Sequence, residues 1–472
     1  MKKLLSGLMV GVVVLSSTSS LVSCSKISAI AEIYLVTDSG KILDKSFNES
    51  TYKAGNEFLQ QVVGNIDSKF KNSKISKIEP ENASTKVLKN QYTNAKNNGA
   101  KTILLPGFHH AIPGEGNNLA PKIMENVEQG STIILDGRSS NKNELGFSFR
   151  GDISGFYAGM SAIIWSLKNT DNQTISLGSF GGISNPQAVD SFIVGYLASI
   201  ELFNEYKTNK EGKEQLLKPI EKGGFALSEE SLKREVKRTQ KDLPKDLTDS
   251  SWFSQSFAQG DGMNVTKNLI QNKATVIMPV AGPQTLDVIG LSKTNDGGKT
   301  VKIVGVDTNQ AEAFPQNEGM FITSAEKELT NATIAGLSHT KYWINQYNSQ
   351  STQNNITNEV GKYLENKISI TRENEEGIFE TVDLSKEESW EGQTLWVGGN
   401  MSSGGRNLLD LKTATNIKKI FSPEALSEAS IKLFETINKN DYGKCIINEK
   451  VIKYYAKSIK ENDKSGGNQN NG

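Results

Sequence analysis

Three aspartates stand at the ends of short apolar runs: Asp38 two residues after Ile30–Val36, Asp136 directly after Thr132–Leu135, and Asp307 directly after Lys302–Val306. Carboxylates only accept hydrogen bonds, so a group of them suits a ligand rich in hydroxyl or ring N–H donors. The densest cluster of chemically capable residues follows the first run, where Asp38-Ser39-Gly40 leads into Asp44-Lys45-Ser46-Phe47-Asn48. The only histidine cluster is His109-His110. Adjacent residues share no face of a strand or helix, and no cysteine or acidic spacing around them fits a metal site. Gly178-Ser179-Phe180-Gly181-Gly182 is glycine-rich, but it lacks the Gly-Lys-Ser/Thr ending of a phosphate loop and the spacing of a dinucleotide fingerprint. There is no Gly-x-Ser-x-Gly elbow and no histidine placed to activate a nucleophile. The residues favour binding over catalysis, with no cofactor and no metal.

Composition narrows the class further. Lys+Arg and Asp+Glu are 53 each in 472 residues, and six of the basic residues are arginine. A balanced, arginine-poor chain does not bind nucleic acid by bulk charge, which needs a basic surplus to displace counterions from phosphates. With 3 histidines and 2 cysteines there is little material for zinc sites or a disulfide scaffold. The length predicts more than one lobe.

The elements that must position these residues alternate along the chain. Apolar, β-branched runs occur at Ile30–Val36, Thr102–Leu105, Thr132–Leu135, Thr174–Leu177, Thr275–Val280, Lys302–Val306 and Met320–Ile322, each followed by a turn signal and a helical pattern. Continuous apolar strands between helices predict an α/β architecture with parallel sheets covered on both faces. Ligands bind beyond the carboxyl ends of such strands, so Asp38, Pro106-Gly107, Asp136-Gly137, Gly178, Ala281-Gly282 and Asp307 converge on one crevice. Ser46-Phe47-Asn48-Glu49 fits a capping box, and Tyr52, Gly55, Leu59 and Val62 follow at helical spacing. Phe47 and Asn48 therefore head a helix at the crevice end of the first strand. Two stretches break the alternation: lysine-rich residues 205–250 predict a solvated helical insertion, and residues 460–472 a disordered tail. Residues 413–459 read as a C-terminal helical extension.

The first residues read as a secretory address. Lys2 and Lys3 precede an apolar stretch from Leu4 to Leu15, too short to span a bilayer. Leu21-Val22-Ser23-Cys24 resembles a bacterial lipobox, which implies removal of residues 1–23 and a diacylglycerol on Cys24. Two acyl chains give stable anchoring. The mature chain then loses two lysines and carries 51 basic against 53 acidic residues, a net of −2. The resulting expectation is a protein anchored to the extracytoplasmic face of the cell membrane.

The cluster Asp44-Lys45-Ser46-Phe47-Asn48 after Asp38-Ser39-Gly40 resembles the opening signature of the basic-membrane-protein family, purine-nucleoside receptor lipoproteins of ABC transporters. Further landmarks follow in the family's order: Gly146 to Gly159, Gly181-Gly182 through Phe192 to Tyr196, Trp252 to Phe257, Ala281-Gly282, Val304 to Asp307, Thr323 to Lys327, and Trp390-x-Gly392. The similarity covers residues 30–409. It implies the type I periplasmic-binding-protein fold, two Rossmann-like α/β lobes joined by three crossovers and closing on ligand. The lobe boundaries it suggests are 30–150 with about 320–355, and 151–319 with about 356–412. Residues 374–412 and 205–250 exceed a typical member and are expected to decorate the lobes.

The resemblance also implies a site. Phe47 and Phe192 would sandwich a purine from opposite lobes, Asp136 would take the base edge, and Asp307, Lys327 and the backbone at Gly282 would hold the ribose. Asp38 and Asn48 would complete the polar lining. The chemistry agrees: a nucleoside is neutral, with two π-faces and a vicinal diol, and stacking suits any purine. Several aspartates and one lysine would repel nucleotide phosphates. The partners implied are inosine, guanosine or adenosine and an ABC permease, with the receptor a monomer. Two other classes stay open, a surface adhesin on the same fold and a nucleoside-cleaving enzyme.

Overall fold

The computed structural model describes residues 28–38, 40–112, 116–294, 301–347, 355–365, 367–373, 379–421 and 445–466. Residues 1–27, which include the stretch read as a secretory leader and Cys24, lie outside the described residues. All seven apolar runs form strands, and they divide between two sheets.

The first sheet is built from β1 (Ser28–Val36), β2 (Ser73–Ile78), β3 (Thr102–Pro106), β4 (Ser131–Leu135) and β5 (Glu144–Phe149), all parallel to their neighbours. The second holds β6 (Thr174–Gly181), β7 (Glu235–Arg238), β8 (Val276–Val280), β9 (Lys302–Asp307) and β10 (Phe321–Lys327), again parallel. Later strands extend both sheets: β11 (Ile370–Glu373), β12 (Phe379–Thr381) and β13 (Thr394–Val397) join the first, and β14 (Gly399–Met401) the second. The orders are β12-β11-β13-β5-β4-β3-β1-β2 and β14-β10-β9-β8-β6-β7. Central strands β3 and β4 are buried along their whole length, which is why they read as unbroken apolar runs.

The chain passes between the sheets three times, at 149–151, 327–329 and 397–399. This is the two-lobe, three-crossover arrangement, with the second and third crossings displaced from the expected boundaries. Residues 321–327 belong to the second sheet, whereas the helices Leu329–Ser338 and Ile356–Leu364 and strand β13 pack in the first lobe's core. In the segment 374–412, residues 374–378 lie outside the described residues, and the rest is no decoration, since β13 pairs directly with β5 at the first crossing.

The charged stretch 205–250 also departs from expectation. It contains the helices Lys210–Leu217 and Glu229–Lys233, but β7 within it forms the edge of the second sheet. Leu216, Phe225, Leu227, Leu232 and Val236 are buried in the lobe's main core, so the segment is an integral edge with a charged outer face. A helix at Glu449–Gly466 includes residues 460–466, which the sequence assigned to a loose tail. It packs on the second lobe through Tyr455, whose hydroxyl donates to buried Asp152 at 2.8 Å.

Candidate functional site

A cleft of about 1040 Å³ lies between the carboxyl ends of the two sheets. Strand order sets its lining. From the first lobe come Asp136 after β4, Gly107 to His109 after β3, and Asp38 after β1, with Phe47 and Asn48 on the following helix. From the second come Lys327 at the end of β10, Asp307 at the end of β9, and Gly282 after β8. Of the eight candidate site residues, seven line this cleft; Phe192 does not.

The segment after Asp38 folds around Asp44. That carboxylate accepts the backbone N–H groups of Ser46, Asn48 and Glu49 at 2.9, 2.9 and 3.1 Å, and the Asn48 side-chain amide at 3.0 Å. It therefore caps the helix Phe47–Glu57, and burial still pushes its carboxyl up to about 6. The expected capping box is not formed: Ser46 makes no side-chain cap bond, and Glu49 accepts instead from the Lys45 N–H at 3.1 Å. The Ser46 hydroxyl crosses the cleft and donates to Asp307 Oδ2 at 2.7 Å. Neither Asp44 nor Ser46 was among the candidates, although both stand in the motif. A capping carboxylate three residues before the first helical residue was the signal available.

Asp136 and Asp307 both have positive φ, 65° and 66°. Non-glycine residues there are strained, and aspartate is one of the few that tolerates it. Between them sits Lys327, its Nζ 2.6 Å from Asp136 Oδ2 and 3.4 Å from Asp307 Oδ1, with the Ala188 carbonyl accepting at 3.1 Å. Burial opposes the lysine's charge, but the two aspartates outweigh it and hold its pKa above the ordinary value. Burial pushes Asp136 up to about 6, opposed by Lys327 and reinforced by Asp307 and Asp38. The three groups carry a net charge of −1 when all are ionised, and each couples one lobe to the other or to its neighbour strand.

Phe47 is half-buried, edge-on to Phe149 at 6.4 Å, with Lys327 Nζ 4.9 Å from its ring centre. One face of Lys327 is thus an aromatic shelf in the first lobe. Phe192 lies 5.1 Å from the same ammonium but is fully buried in the second lobe's core. A Cβ on Gly151 would collide with its ring, which shows how tightly it is packed. Phe192 supports Lys327 from behind and presents no surface to the cleft. Its spacing with Tyr196 and Ile200 marks a buried helix face, and that packing prevails.

The aromatic that the second lobe does present is Phe257. After β6, the backbone of Gly181 and Gly182 bonds to Trp252, Ser254 and Gln255, at 2.8, 3.0 and 2.9 Å. Asp287 accepts from Gly260 and Gly262, and the Gln284 amide donates to the Ser256 and Ala258 carbonyls. Phe257 is held between these anchors in the cleft wall, edge-on to Phe108 of the first lobe at 5.8 Å. His109 stacks on Phe108 at 4.7 Å, and both line the cleft. Phe257 closes the Trp252–Phe257 block, but nothing in the block alone singles it out.

Glycines admit two of the polar contacts. Gly107, at φ 113°, leaves room for the Asp38 carboxylate against the backbone, and Gly282 for the Ser46 hydroxyl. At Gly282 the close approach is therefore made by a side chain from the opposite lobe. Asn48 lines the cleft, and its Oδ1 is buried without a hydrogen-bond partner. No group of three or more His, Cys, Asp or Glu side chains fit to hold a metal occurs among the described residues.

Comparison with known proteins places the fold. No family model matches the chain. An uncharacterized lipoprotein of Mycoplasma genitalium is 24% identical over 331 residues, 58% of this chain and 55% of the relative, so the match spans about half of that protein's length. Among solved structures, a solute-binding protein of an ABC transporter system from Aeropyrum pernix K1 superposes with a TM-score of 0.50 at 14% identity, covering 93% of this chain and 92% of that one. At this identity the likeness speaks for the fold, which is the type I periplasmic-binding-protein fold. No helix among the described residues is long and apolar enough to cross a membrane.

Proposed function

We propose that the protein is a lipid-anchored receptor that captures a purine nucleoside between its lobes and hands it to an ABC permease. The observation that carries this reading is the composition of the cleft: aromatic rings from opposite lobes, Phe47 and Phe257, beside a carboxylate set of Asp38, Asp136 and Asp307 and the buried ammonium of Lys327. Rings accept a planar base by its faces, and each stacked base contributes about 1–3 kcal/mol. Carboxylates accept from sugar hydroxyls and ring N–H groups, and their excess over cations repels phosphate. Asn48 adds a neutral amide to this lining. Phe257 takes the stacking role that the resemblance assigned to Phe192.

Capture fits this lining better than bond cleavage. The carboxylates are occupied by Lys327, Ser46 or backbone, an arrangement that holds hydroxyls and does not free a base for proton transfer. Ligand would favour the closed arrangement in proportion to its extra affinity for it. Titration calorimetry with inosine, guanosine and adenosine tests the proposal. If none binds more tightly than about 100 μM, roughly −5.5 kcal/mol, the nucleoside assignment is wrong.

A further inference from the structure

Ser46 stands where a helix cap belongs, yet its hydroxyl does no capping. Asp44 has taken over that task, and the Ser46 N–H is one of the groups it satisfies, at 2.9 Å. The freed hydroxyl reaches from the first lobe to Asp307 Oδ2 in the second, at 2.7 Å, in a contact that is buried. The second lobe is shaped to receive it: a Cβ at Gly282 would overlap both Oγ and Cβ of Ser46. The other carboxylate oxygen, Asp307 Oδ1, faces Lys327 Nζ at 3.4 Å. Asp307 is thus fixed from two sides, by a cation of its own lobe and by a hydroxyl of the opposite one.

We propose that Ser46 is a positioning residue of the cleft, whose hydroxyl orients the Asp307 carboxylate and holds the lobes together before any ligand arrives. A hydroxyl on Asp307 is the interaction that a sugar would make there, so the serine anticipates the ligand in chemistry. With the lobes already in register, the carboxylate presents its remaining lone pairs to a diol in one orientation. The consequence is selectivity: ligands bearing adjacent hydroxyls gain from the fixed carboxylate, and those lacking them do not. A ligand then needs less of its own affinity to favour the closed cleft.

The lobe-holding half of the inference is independent of the ligand, whereas the selectivity half rests on the nucleoside reading. Small-angle scattering of the unliganded full chain compares wild type with Ser46→Ala, and calorimetry compares inosine with 2′,3′-dideoxyinosine on both. Ser46→Ala should enlarge the radius of gyration and reduce the preference for inosine over the dideoxy compound about tenfold, the scale of one charge-assisted hydrogen bond. Ser46→Thr, which keeps the hydroxyl, should restore the preference. Unchanged scattering overturns the lobe-holding role, and equal losses for both nucleosides overturn the positioning role. If wild type binds neither nucleoside, the nucleoside reading and the selectivity half fall together, while the scattering still decides whether Ser46 holds the lobes. Should Ser46→Ala not fold, Gly282→Ala attacks the same contact from the other lobe and must produce the same opening; a compact Gly282→Ala protein refutes the role equally.

Discussion

Replacing Lys327 with methionine removes the cation on which two buried carboxylates depend. The side chain is 3% exposed, its ammonium 2.6 Å from Asp136 and 3.4 Å from Asp307. Methionine fills similar space and keeps the contacts with Phe47 and Phe192, so the loss is electrostatic. Breaking one side of a buried pair costs about 3–5 kcal/mol, because the partner charge stays behind without compensation. The cost depends on pH in a definite direction. Asp136 titrates at about 6 in the folded protein, with Lys327 drawing it down, against ~3.9 when unfolded. Without Lys327 the folded value rises further, so the folded variant holds a proton that the unfolded chain has released. Such a group stabilises fully only below its unfolded pKa, and that contribution is lost as pH climbs through the folded value. Urea denaturation should therefore show a larger deficit for Lys327→Met at pH 8 than at pH 5. Adding Asp136→Asn should recover about 1–3 kcal/mol at pH 8, since the residues are in direct contact. A deficit below about 1 kcal/mol at both pH values, or no recovery in the double variant, would refute the electrostatic account of this triad.

Two further predictions separate the cleft from the core. Phe257→Ala should weaken nucleoside binding by roughly 5- to 150-fold with little change in denaturation midpoint, while Phe192→Ala should cost about 3–5 kcal/mol of stability. The reverse pattern would return Phe192 to the site. Asp190, fully buried, accepts from the Ser184 hydroxyl at 2.8 Å and the Asn185 N–H at 3.3 Å, and burial raises its carboxyl to about 7. Its raised folded pKa makes wild type lose stability as pH rises toward 7 and above. Asp190→Asn should lessen that loss by ~2–3 kcal/mol between pH 5 and pH 8, and parallel stability–pH curves would show Asp190 to be ionised throughout.

The elements legible in the sequence were those buried on both faces. β3, β4, β8 and β9 read as apolar runs because no residue in them meets solvent freely. β2, with the sequence Ser-Lys-Ile-Ser-Lys-Ile, and β7, with Glu-Val-Lys-Arg, lie at sheet edges, where one face is wet and the apolar signal halves. The short β11 to β14 gave no run long enough to read, and this moved the third crossing in the expected boundaries. Asp38, Asp136 and Asp307 were readable because a strand end fixes a crevice residue by sequence position alone. Phe257 was not, because its place depends on Gly181, Gln284 and Asp287, which are distant along the chain.

The motif Asp44-Lys45-Ser46-Phe47-Asn48 shows why its residues act as a unit. Capping by Asp44 satisfies the first backbone N–H groups of the helix and holds the Asn48 amide nitrogen, which leaves the buried Asn48 Oδ1 without a partner. Lys45 adopts φ 57°, turning the chain so that Ser46 points away from its own helix. Because the cap is supplied two residues earlier, Ser46 is available to the opposite lobe, and Phe47 beside it lines the cleft. Had Ser46 been the cap, its hydroxyl would be spent on the helix and Asp307 would have one fixed oxygen instead of two. The start of the first-lobe helix thus brings Ser46, Phe47 and Asn48 together in the cleft lining, and the second lobe meets them with Asp307, Gly282 and Lys327.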